Sequence, residues 1–431
     1  MPTQDDPCRV AMLSVHGCPL DQLGSREAGG MQLYVRELSR ELGRHGRHVD
    51  VFTRRTDPTV PRVVEFGQRA RVIHLDAGPV RRIDKNSVVQ HLPAFIDNLE
   101  RFNERERIEQ HVVHSHYWLS GWVGARLAEL WRVPHVTTFH TLGRVKNRAN
   151  QSAGSPGGRW VGQLESERRI EIERRVIRRA DAIVVSTEHE RSALMEYYGA
   201  RRESAVVIPP GADLSTFRPI DRAAARRELG LDGEALLFVG RIDPVKGLDT
   251  LLEALKLLED RAALRLLVVG GSAPGAPPWE LDPDERSLRD LARELCVDDR
   301  VRWLGPIEQE RLPFYYSAAD VVVVPSRYES FGLVALEALA CGAAVVASRV
   351  GGLPTIVRDG ENGLLVPWRT PEAFADRIEQ ILDDPGLAGR LRDAAPKSMA
   401  RFSWAATAGQ VIELYRELAA AREPARRACS G

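Results

Sequence analysis

Short apolar runs alternate with amphipathic segments from the start of the chain, and this alternation predicts a parallel α/β sheet. Residues 9–15 are typical of a buried strand, residues 31–42 of an amphipathic helix, and residues 48–53 of the next strand. Strands that are apolar along their whole length are covered on both faces, as in parallel sheets. Further strands of this sheet are predicted at residues 71–75, 135–139, 182–185 and 205–208, with a short strand running into a loop over residues 112–118.

The same alternation restarts after Pro209-Pro210-Gly211, which predicts a second α/β domain. A length of 431 residues fits two or three domains. Strands of the second sheet are predicted at residues 236–240, 264–270, 301–304, 321–324, 344–347 and 364–366, with helices at 248–258 and 332–340. We predict a first domain at residues 1–213, a second domain at 214–398, a helix at 399–422 that packs back on the first domain, and a disordered tail at 423–431.

One internal segment lacks any periodicity. Residues 143–159 are basic and rich in Gly, Ser and Asn, and long loops inside compact domains are commonly functional. We predict a mobile lid there, followed by a long charged helix at residues 160–179.

Composition excludes several classes of protein. Lys plus Arg and Asp plus Glu both number 60, so a net charge of zero gives no reason to expect a nucleic-acid partner. The five cysteines are scattered without a C-x-x-C, which argues against a disulfide framework or a zinc site. His114 and His116 alternate along a strand, but no third metal ligand lies near them, so a polar pocket rim is favoured over a metal site.

The N-terminus is polar and acidic, unlike a signal peptide, and the longest mostly apolar run, residues 331–347, contains Glu337. No membrane span is therefore predicted, and we expect a cytoplasmic protein.

The stretch from residue 321 to 347 carries the strongest functional signal. A strand is followed by a loop with Glu329 and then by a helix with Glu337. The first N–H groups of a helix have no partner within the helix and can bind an anion, here at residues 330–333. Carboxylates accept hydrogen bonds from sugar hydroxyls. An anion site beside a hydroxyl site suits a nucleotide sugar.

Two further glycine-containing loops can approach a phosphate. Arg241 and Lys246 lie in the loop between the first strand and first helix of the second domain, where two cations can neutralise a diphosphate. Gly29 and Gly30 precede the first helix of the first domain. Neither loop has the G-x-G-x-x-G of dinucleotide-binding folds, which argues against the alternative of an oxidoreductase.

The run E-S-F-G-L-V-A-L-E, residues 329–337, resembles the E-x(7)-E signature of glycosyltransferase family 4. That resemblance covers nearly the whole chain and implies the GT-B fold: two Rossmann-like domains facing a cleft, with a C-terminal helix crossing back. It also implies that Glu329 and Glu337 contact the donor sugar and the ribose, that Arg241 and Lys246 hold the diphosphate, and that His140 contacts the donor sugar. The full donor set implied is Gly29, Gly30, Arg241, Lys246, Glu329, Ser330, Phe331, Gly332, Leu333 and Glu337, with catalytic roles for His140, Arg241, Lys246 and Glu329.

Within the family, this chain resembles two groups: enzymes that glycosylate an inositol phosphate, and sucrose-phosphate synthases. V-H-S-H-Y-W-L-S-G at residues 113–121 and A-G-G-M at 28–31 resemble the first group. Gln32 stands where that group has Asn, and L-G at residues 142–143 resembles the second group. The residues that the resemblance places at the acceptor are Gln32, Lys85, Tyr117, Thr141 and Arg168, the last four of them around a phosphate.

The resemblance implies a retaining transfer from a nucleotide sugar, with UDP as the expected nucleotide, to a small phosphorylated acceptor such as an inositol phosphate or a hexose phosphate. No metal and no other cofactor is expected. A lipid or polysaccharide acceptor and a catalytically silent sugar-nucleotide binding protein stay open as alternatives. The identities of the sugar, the base and the acceptor also stay open, as does the possibility of a homodimer.

Overall fold

Residues 8–21, 29–152, 164–277 and 279–428 are described by the structure, a computed structural model. The first sheet has eight strands in the order β3-β4-β2-β1-β5-β6-β7-β8. All neighbours are parallel except the edge pair β3 and β4. The strands are β1 (Arg9–Leu13), β2 (His48–Arg54), β3 (Val63–Gly67), β4 (Ala70–Leu75), β5 (Val112–His116), β6 (His135–Thr138), β7 (Ala182–Val185) and β8 (Ala205–Val207).

Helices cover both faces of this sheet because its strands are apolar on both sides. Ala11 and Leu13 of β1 face one core, and Val10 and Met12 face the other. The helices are α1 (Gly30–Arg44), α2 (Lys85–Val88), α3 (Leu92–Glu106), α4 (Tyr117–Trp131), α5 (Gly143–Ser152), α6 (Glu167–Arg179) and α7 (Glu188–Tyr198).

The second sheet has six parallel strands in the order β11-β10-β9-β12-β13-β14. These strands are β9 (Ala235–Val239), β10 (Arg265–Val269), β11 (Val301–Gly305), β12 (Val321–Val324), β13 (Val345–Ser348) and β14 (Leu364–Val366). Its helices are α8 (Arg222–Leu229), α9 (Leu248–Leu257), α10 (Pro283–Glu294), α11 (Leu312–Ala318), α12 (Leu333–Ala340), α13 (Leu353–Ile356), α14 (Pro371–Asp383) and α15 (Pro385–Met399).

The last helix, α16 (Trp404–Ala428), returns to the first domain as predicted. Ser403 Oγ accepts the backbone N–H of Ala406 at 3.2 Å and so caps the helix. Trp404, Val411 and Tyr415 join the core formed by Val10 and Met12. Residues 423–428, which we predicted as the start of a disordered tail, continue the helical backbone of α16, and residues 429–431 lie outside the described part.

Several local features of the structure differ from the predictions. The edge strand β3 was not predicted because its residues are only partly buried or exposed, so no apolar run marks it. Helix α4 begins at Tyr117, where we predicted a loop, because Tyr117 itself turns the chain with φ 75°. Residues 143–152, where we predicted a loop that acts as a lid, form α5, and residues 153–159 lie outside the described part.

Helix α5 lacks an apolar repeat because polar contacts hold it. The carboxylate of Glu173 accepts the N–H of Gly143 at 3.1 Å, and Lys146 Nζ lies 2.8 Å from Glu165 Oε1. The charged helix α6 starts at Glu167, where Ser166 Oγ accepts the N–H of Arg169, and not at residue 160. Residues 160–163 are not described.

None of the helices in the described part of the chain has both the length and the apolarity needed to cross a bilayer.

Candidate functional site

The crevice between β9 and β12 is the point at which the strand order of the second sheet reverses. From β9 the chain proceeds outward to β10 and β11, and from β12 it proceeds the other way to β13 and β14. In open α/β sheets, ligands bind at this switch point, beyond the carboxyl ends of the strands. The loops that follow β9 and β12 are the ones that carry Arg241, Lys246 and Glu329.

These two loops meet through charged side chains. Lys246 Nζ donates to Glu329 Oε2 at 2.6 Å, and Arg241 lies 3.4 Å from Asp243. All four side chains keep some exposure, from 15% for Glu329 to 38% for Arg241. Cations at this exposure can exchange a carboxylate partner for a phosphate.

Glycines allow the close approach of the two loops. A Cβ added to Gly247 would lie 2.0 Å from the carbonyl oxygen of Pro325, and Gly247 has φ 69°. Gly332, with φ 105°, caps the N-terminus of α12, where a Cβ would meet Leu353 at 2.7 Å. Phe331 is buried and packs on Phe402 with ring centres 5.8 Å apart, so it contributes only its backbone to the cleft.

Glu337 lies one turn into α12 and is buried. Tyr316 on α11 donates its hydroxyl to Glu337 Oε2 at 2.9 Å. Burial raises the pKa of Glu337 to about 7, and the Tyr316 hydrogen bond opposes that shift. The carboxyl group therefore titrates near neutral pH.

The glycine loop of the first domain reaches this same place. A Cβ on Gly29 would lie 3.6 Å from the Arg241 side chain, and a Cβ on Gly30 would lie 3.3 Å from Leu333. Gln32 holds the loop, since its Oε1 accepts the N–H of Gly29 at 3.0 Å. The loop and the N-terminus of α12 thus face each other across the cleft.

His140 follows β6 and has the left-handed φ of 60°, unusual for a residue with a side chain. Its Nε2 lies 2.9 Å from His116 Nδ1. The rings of His140 and Tyr34 pack edge to face, with their centres 5.0 Å apart. Burial lowers the pKa of His140 to about 3 and that of His116 well below its ordinary value. Both rings are neutral at physiological pH.

A second polar group gathers around Tyr117, which begins α4. Arg169 donates to Tyr117 Oη at 2.9 Å and to Thr141 Oγ1 at 3.0 Å. Lys85 Nζ lies 5.8 Å from the centre of the Tyr117 ring. Lys85, Tyr117 and Thr141 are therefore brought together from three separate segments.

The contacts with Tyr117 and Thr141 are made by Arg169 and not by Arg168, the arginine predicted for this group. Arg168 is exposed on α6, whereas its neighbour Arg169 is 1% exposed and makes the contacts. The sequence did hold a signal for this difference. Arg169 stands one helical turn before Ile172 and Glu173, which are buried, and a helix places such positions on one face.

The paired histidines do not form a metal centre. Their ring nitrogens are engaged by other groups: His114 by Tyr415 and Thr138, and His116 by Met12 and His140. Within the described residues, no cluster of three or more His, Cys, Asp or Glu side chains has the arrangement needed to hold a metal ion.

Comparison with known families matches both halves of the chain. Residues 29–211 match the glycosyl transferase 4-like domain, and residues 221–398 match the glycosyl transferases group 1. The boundary between the two matches falls between β8 and α8, where the sheet changes.

Named relatives and solved structures agree with this assignment. The chain is 45% identical to D-inositol 3-phosphate glycosyltransferase of Xylanimonas cellulosilytica, over 97% of this chain and 98% of the relative. It is 41% identical to the enzyme of that name from Corynebacterium glutamicum, over 95% and 96%.

Among solved structures, sucrose-phosphate synthase from Thermosynechococcus elongatus superposes with a TM-score of 0.85 at 38% identity, covering 96% of this chain and 100% of that one. The two α/β domains, the cleft and the returning helix α16 form the GT-B arrangement. The chain belongs to glycosyltransferase family 4 and is a glycosyltransferase with the GT-B fold.

Proposed function

We propose that this glycosyltransferase moves a hexose or N-acetylhexosamine from a UDP-sugar to a small phosphorylated acceptor, with retention of configuration and without a metal ion. One observation carries the proposal. Arg241 and the N-terminus of α12 on the second domain lie against the Gly29–Gly30 loop of the first. A diphosphate bound there would place its sugar between the two domains.

On the donor side, Arg241 and Lys246 neutralise the diphosphate together with backbone N–H groups of residues 330–333. Cations and helix N-termini can supply the charge stabilisation that a metal ion supplies elsewhere. Glu329 accepts hydrogen bonds from the sugar and Glu337 from the ribose, because an ionised carboxylate is an acceptor only. Gly29 and Gly30 let the backbone approach the phosphate, and His140 contacts the sugar.

On the acceptor side, Lys85, Tyr117 and Thr141 bind a phosphate, and Gln32 lies beside the acceptor ring. Arg169, and not Arg168, supports this phosphate site, and it does so indirectly, through the residues that it contacts. Its guanidinium already donates to Tyr117 and Thr141 and pairs with Glu165 and Glu173. It therefore positions the hydroxyl groups that meet the phosphate.

In the reaction, the bond between C1 of the sugar and the phosphate oxygen breaks, and a bond from C1 to the acceptor oxygen forms on the same face. The departing phosphate oxygen takes the acceptor's proton. Glu329 is held by Lys246 at 2.6 Å, which favours a binding role over nucleophilic attack. Closing the cleft keeps water from the activated sugar.

Two acceptors are favoured by specific observations. The relatives at 41–45% identity are named for D-inositol 3-phosphate, and the solved structure at 38% identity is a sucrose-phosphate synthase. Gln32 in place of the Asn expected for the first group leaves a hexose phosphate as the second candidate. A location in the cytoplasm stays a prediction.

The test is release of UDP from a panel of UDP-sugars with D-inositol 3-phosphate, with fructose 6-phosphate or with no acceptor. We expect release with one phosphorylated acceptor, lost in both Arg241→Ala and Lys85→Ala. Release in Lys85→Ala should recover in part at high acceptor concentration, whereas that in Arg241→Ala should not.

Release that needs Arg241 but ignores every phosphorylated acceptor would contradict the acceptor assignment and point to a lipid or a polysaccharide. No release from any nucleotide sugar would favour the silent binding protein.

A further inference from the structure

The histidine that faces the donor sugar in the proposed function is held by a second buried histidine. His116 Nδ1 lies 2.9 Å from His140 Nε2, and the other nitrogen of His116, Nε2, lies 2.8 Å from Met12 Sδ. Met12 and His116 are both fully buried, at 0% exposure. Within the described residues, no group forms a hydrogen bond with the other nitrogen of His140, Nδ1.

In the series of hydrogen bonds from Met12 through His116 to His140, the sulfur atom determines which ring nitrogens carry protons. A thioether has no proton, so it can only accept, and His116 must carry its proton on Nε2 to meet it. A neutral imidazole then has a lone pair on Nδ1, which accepts the N–H of His140 Nε2. The reverse order would leave a nitrogen lone pair of His116 facing the sulfur lone pairs.

Burial lowers the pKa of both rings, which favours their neutral forms. The charged groups near His140 do not change this. His16 lies close and also has its pKa lowered, mainly by burial, with Lys85 and Arg169 adding to the effect. The neutral forms of His16, His116 and His140 are thus all favoured, and the proton order requires only these forms.

The last helix of the chain supports the pair. His114 stacks on His116 with ring centres 4.5 Å apart, and His116 stacks on His140 at 5.2 Å. Tyr415 of α16 contacts His114 Nδ1 at 2.6 Å, and Thr138 contacts its Nε2 at 2.9 Å. The three rings form a layer whose orientation is fixed at its far end by α16.

We propose that Met12 and His116 fix His140 in the tautomer with its proton on Nε2, so that His140 Nδ1 offers a lone pair to a hydroxyl group of the donor sugar. His116 is thus a positioning residue. The second half rests on the proposed function, whereas the tautomer itself does not.

The tautomer can be read directly from long-range ¹H–¹⁵N correlation spectra of the full-length protein with labelled histidine. His140 is assigned by the signals that disappear in His140→Gln. We expect a protonated Nε2 and an unprotonated Nδ1 at every pH from 5.5 to 8. A proton on Nδ1, or a cationic ring in this range, would overturn the proposal.

Variants at His116 separate positioning from mere packing. The side-chain oxygen of His116→Asn stands close to the place of Nδ1 and can accept the same hydrogen bond, while His116→Leu cannot. In His116→Asn, we expect the His140 tautomer to be unchanged and most of the turnover of UDP-glucose to be retained. In Leu, kcat/KM should fall by about three- to tenfold, the worth of one hydrogen bond.

His135→Leu is the matched control. His135 is another buried histidine of the same sheet, bonded to Ser115 Oγ at 2.8 Å, and it makes no contact with His140. We expect its His140 signals to match the wild type. Equal turnover in His116→Leu and wild type would overturn the positioning role. A wild type that uses no UDP-sugar would defeat the proposed function but would leave the spectra to decide the tautomer.

Discussion

The two domains that form the cleft each hold an ion pair, in opposite environments, one partly exposed and one buried. On the second domain, Lys246 and Glu329 form an ion pair in which the side chains are 22% and 15% exposed. On the first domain, Arg169 and Glu173 form a pair at 1% and 0% exposure. The first pair sits in loops that a ligand can enter, and the second lies inside the domain.

This difference separates binding from architecture. A partly exposed pair is worth little to stability but its members are available to a phosphate. A buried pair costs desolvation and cannot easily change partners, so losing one member leaves an uncompensated charge. We therefore expect substitutions on the second domain to affect the reaction, and those at Arg169 to affect folding first.

The largest expected effect is that of Arg169→Met on stability. It leaves Glu173 buried without its cation, and such losses cost about 3–5 kcal/mol. Urea unfolding measures the change. Arg168→Met is the matched control, one residue away and exposed, for which we expect a change within about 0.5 kcal/mol. Equal losses in the two variants would refute the contrast between the domains.

The next effect is that of Lys246→Met on donor turnover. The side chain is of similar length but carries no charge, so the diphosphate loses a cation as it departs. Losing one such group costs about 10²–10³ in rate in comparable sites. UDP release measures it, with urea unfolding alongside. Since the pair with Glu329 is partly exposed, we expect stability to change by less than about 1 kcal/mol.

A loss of stability in Lys246→Met as large as in Arg169→Met would show that the loop pair is structural after all.

The smallest expected effect is a pH dependence of donor binding. The pKa of Glu337 is raised to about 7 by burial, so the carboxyl group is neutral below that pH and ionised above it. The ionised form is the better acceptor for ribose hydroxyls, and affinity for UDP-glucose should rise by about fivefold from pH 6 to 8.

Calorimetry without an acceptor measures the UDP-glucose affinity, and the esterified diphosphate does not titrate in this range. Glu337→Gln should give a weak and flat profile. A profile that rises equally in Glu337→Gln would assign the titration to another group.

The same contrast explains which parts of the site could be predicted from sequence. The proposed donor residues of the second domain lie in two continuous stretches, 241–247 and 329–337, each beside a buried strand and a helix, so their neighbourhood is local. The polar group of the first domain comes from separate segments around residues 85, 117, 141 and 169. Without the resemblance, nothing in the local pattern would have joined them.

The difference in burial between Arg168 and Arg169 shows the limit of transferring roles by motif. Two adjacent arginines are indistinguishable as residue types, and only the phase of α6 decides which one is buried. The helix at residues 143–152, within the segment where we predicted a lid, was not foreseen for a related reason. Helix α5 is held by Glu165, which precedes α6, and by Glu173 on α6, and these contacts leave no apolar repeat in its own sequence.

By itself, the sequence determined the α/β class, the two sheets and the positions of the glycine-containing loops of the second domain. Those features follow from apolar runs and glycines, which act over a few residues. Only the tertiary structure decided which side chains meet. It paired His116 with His140, placed Arg169 beneath Tyr117 and set Gly30 against Leu333, because distant segments converge at the carboxyl ends of parallel strands and burial then fixes their hydrogen bonds.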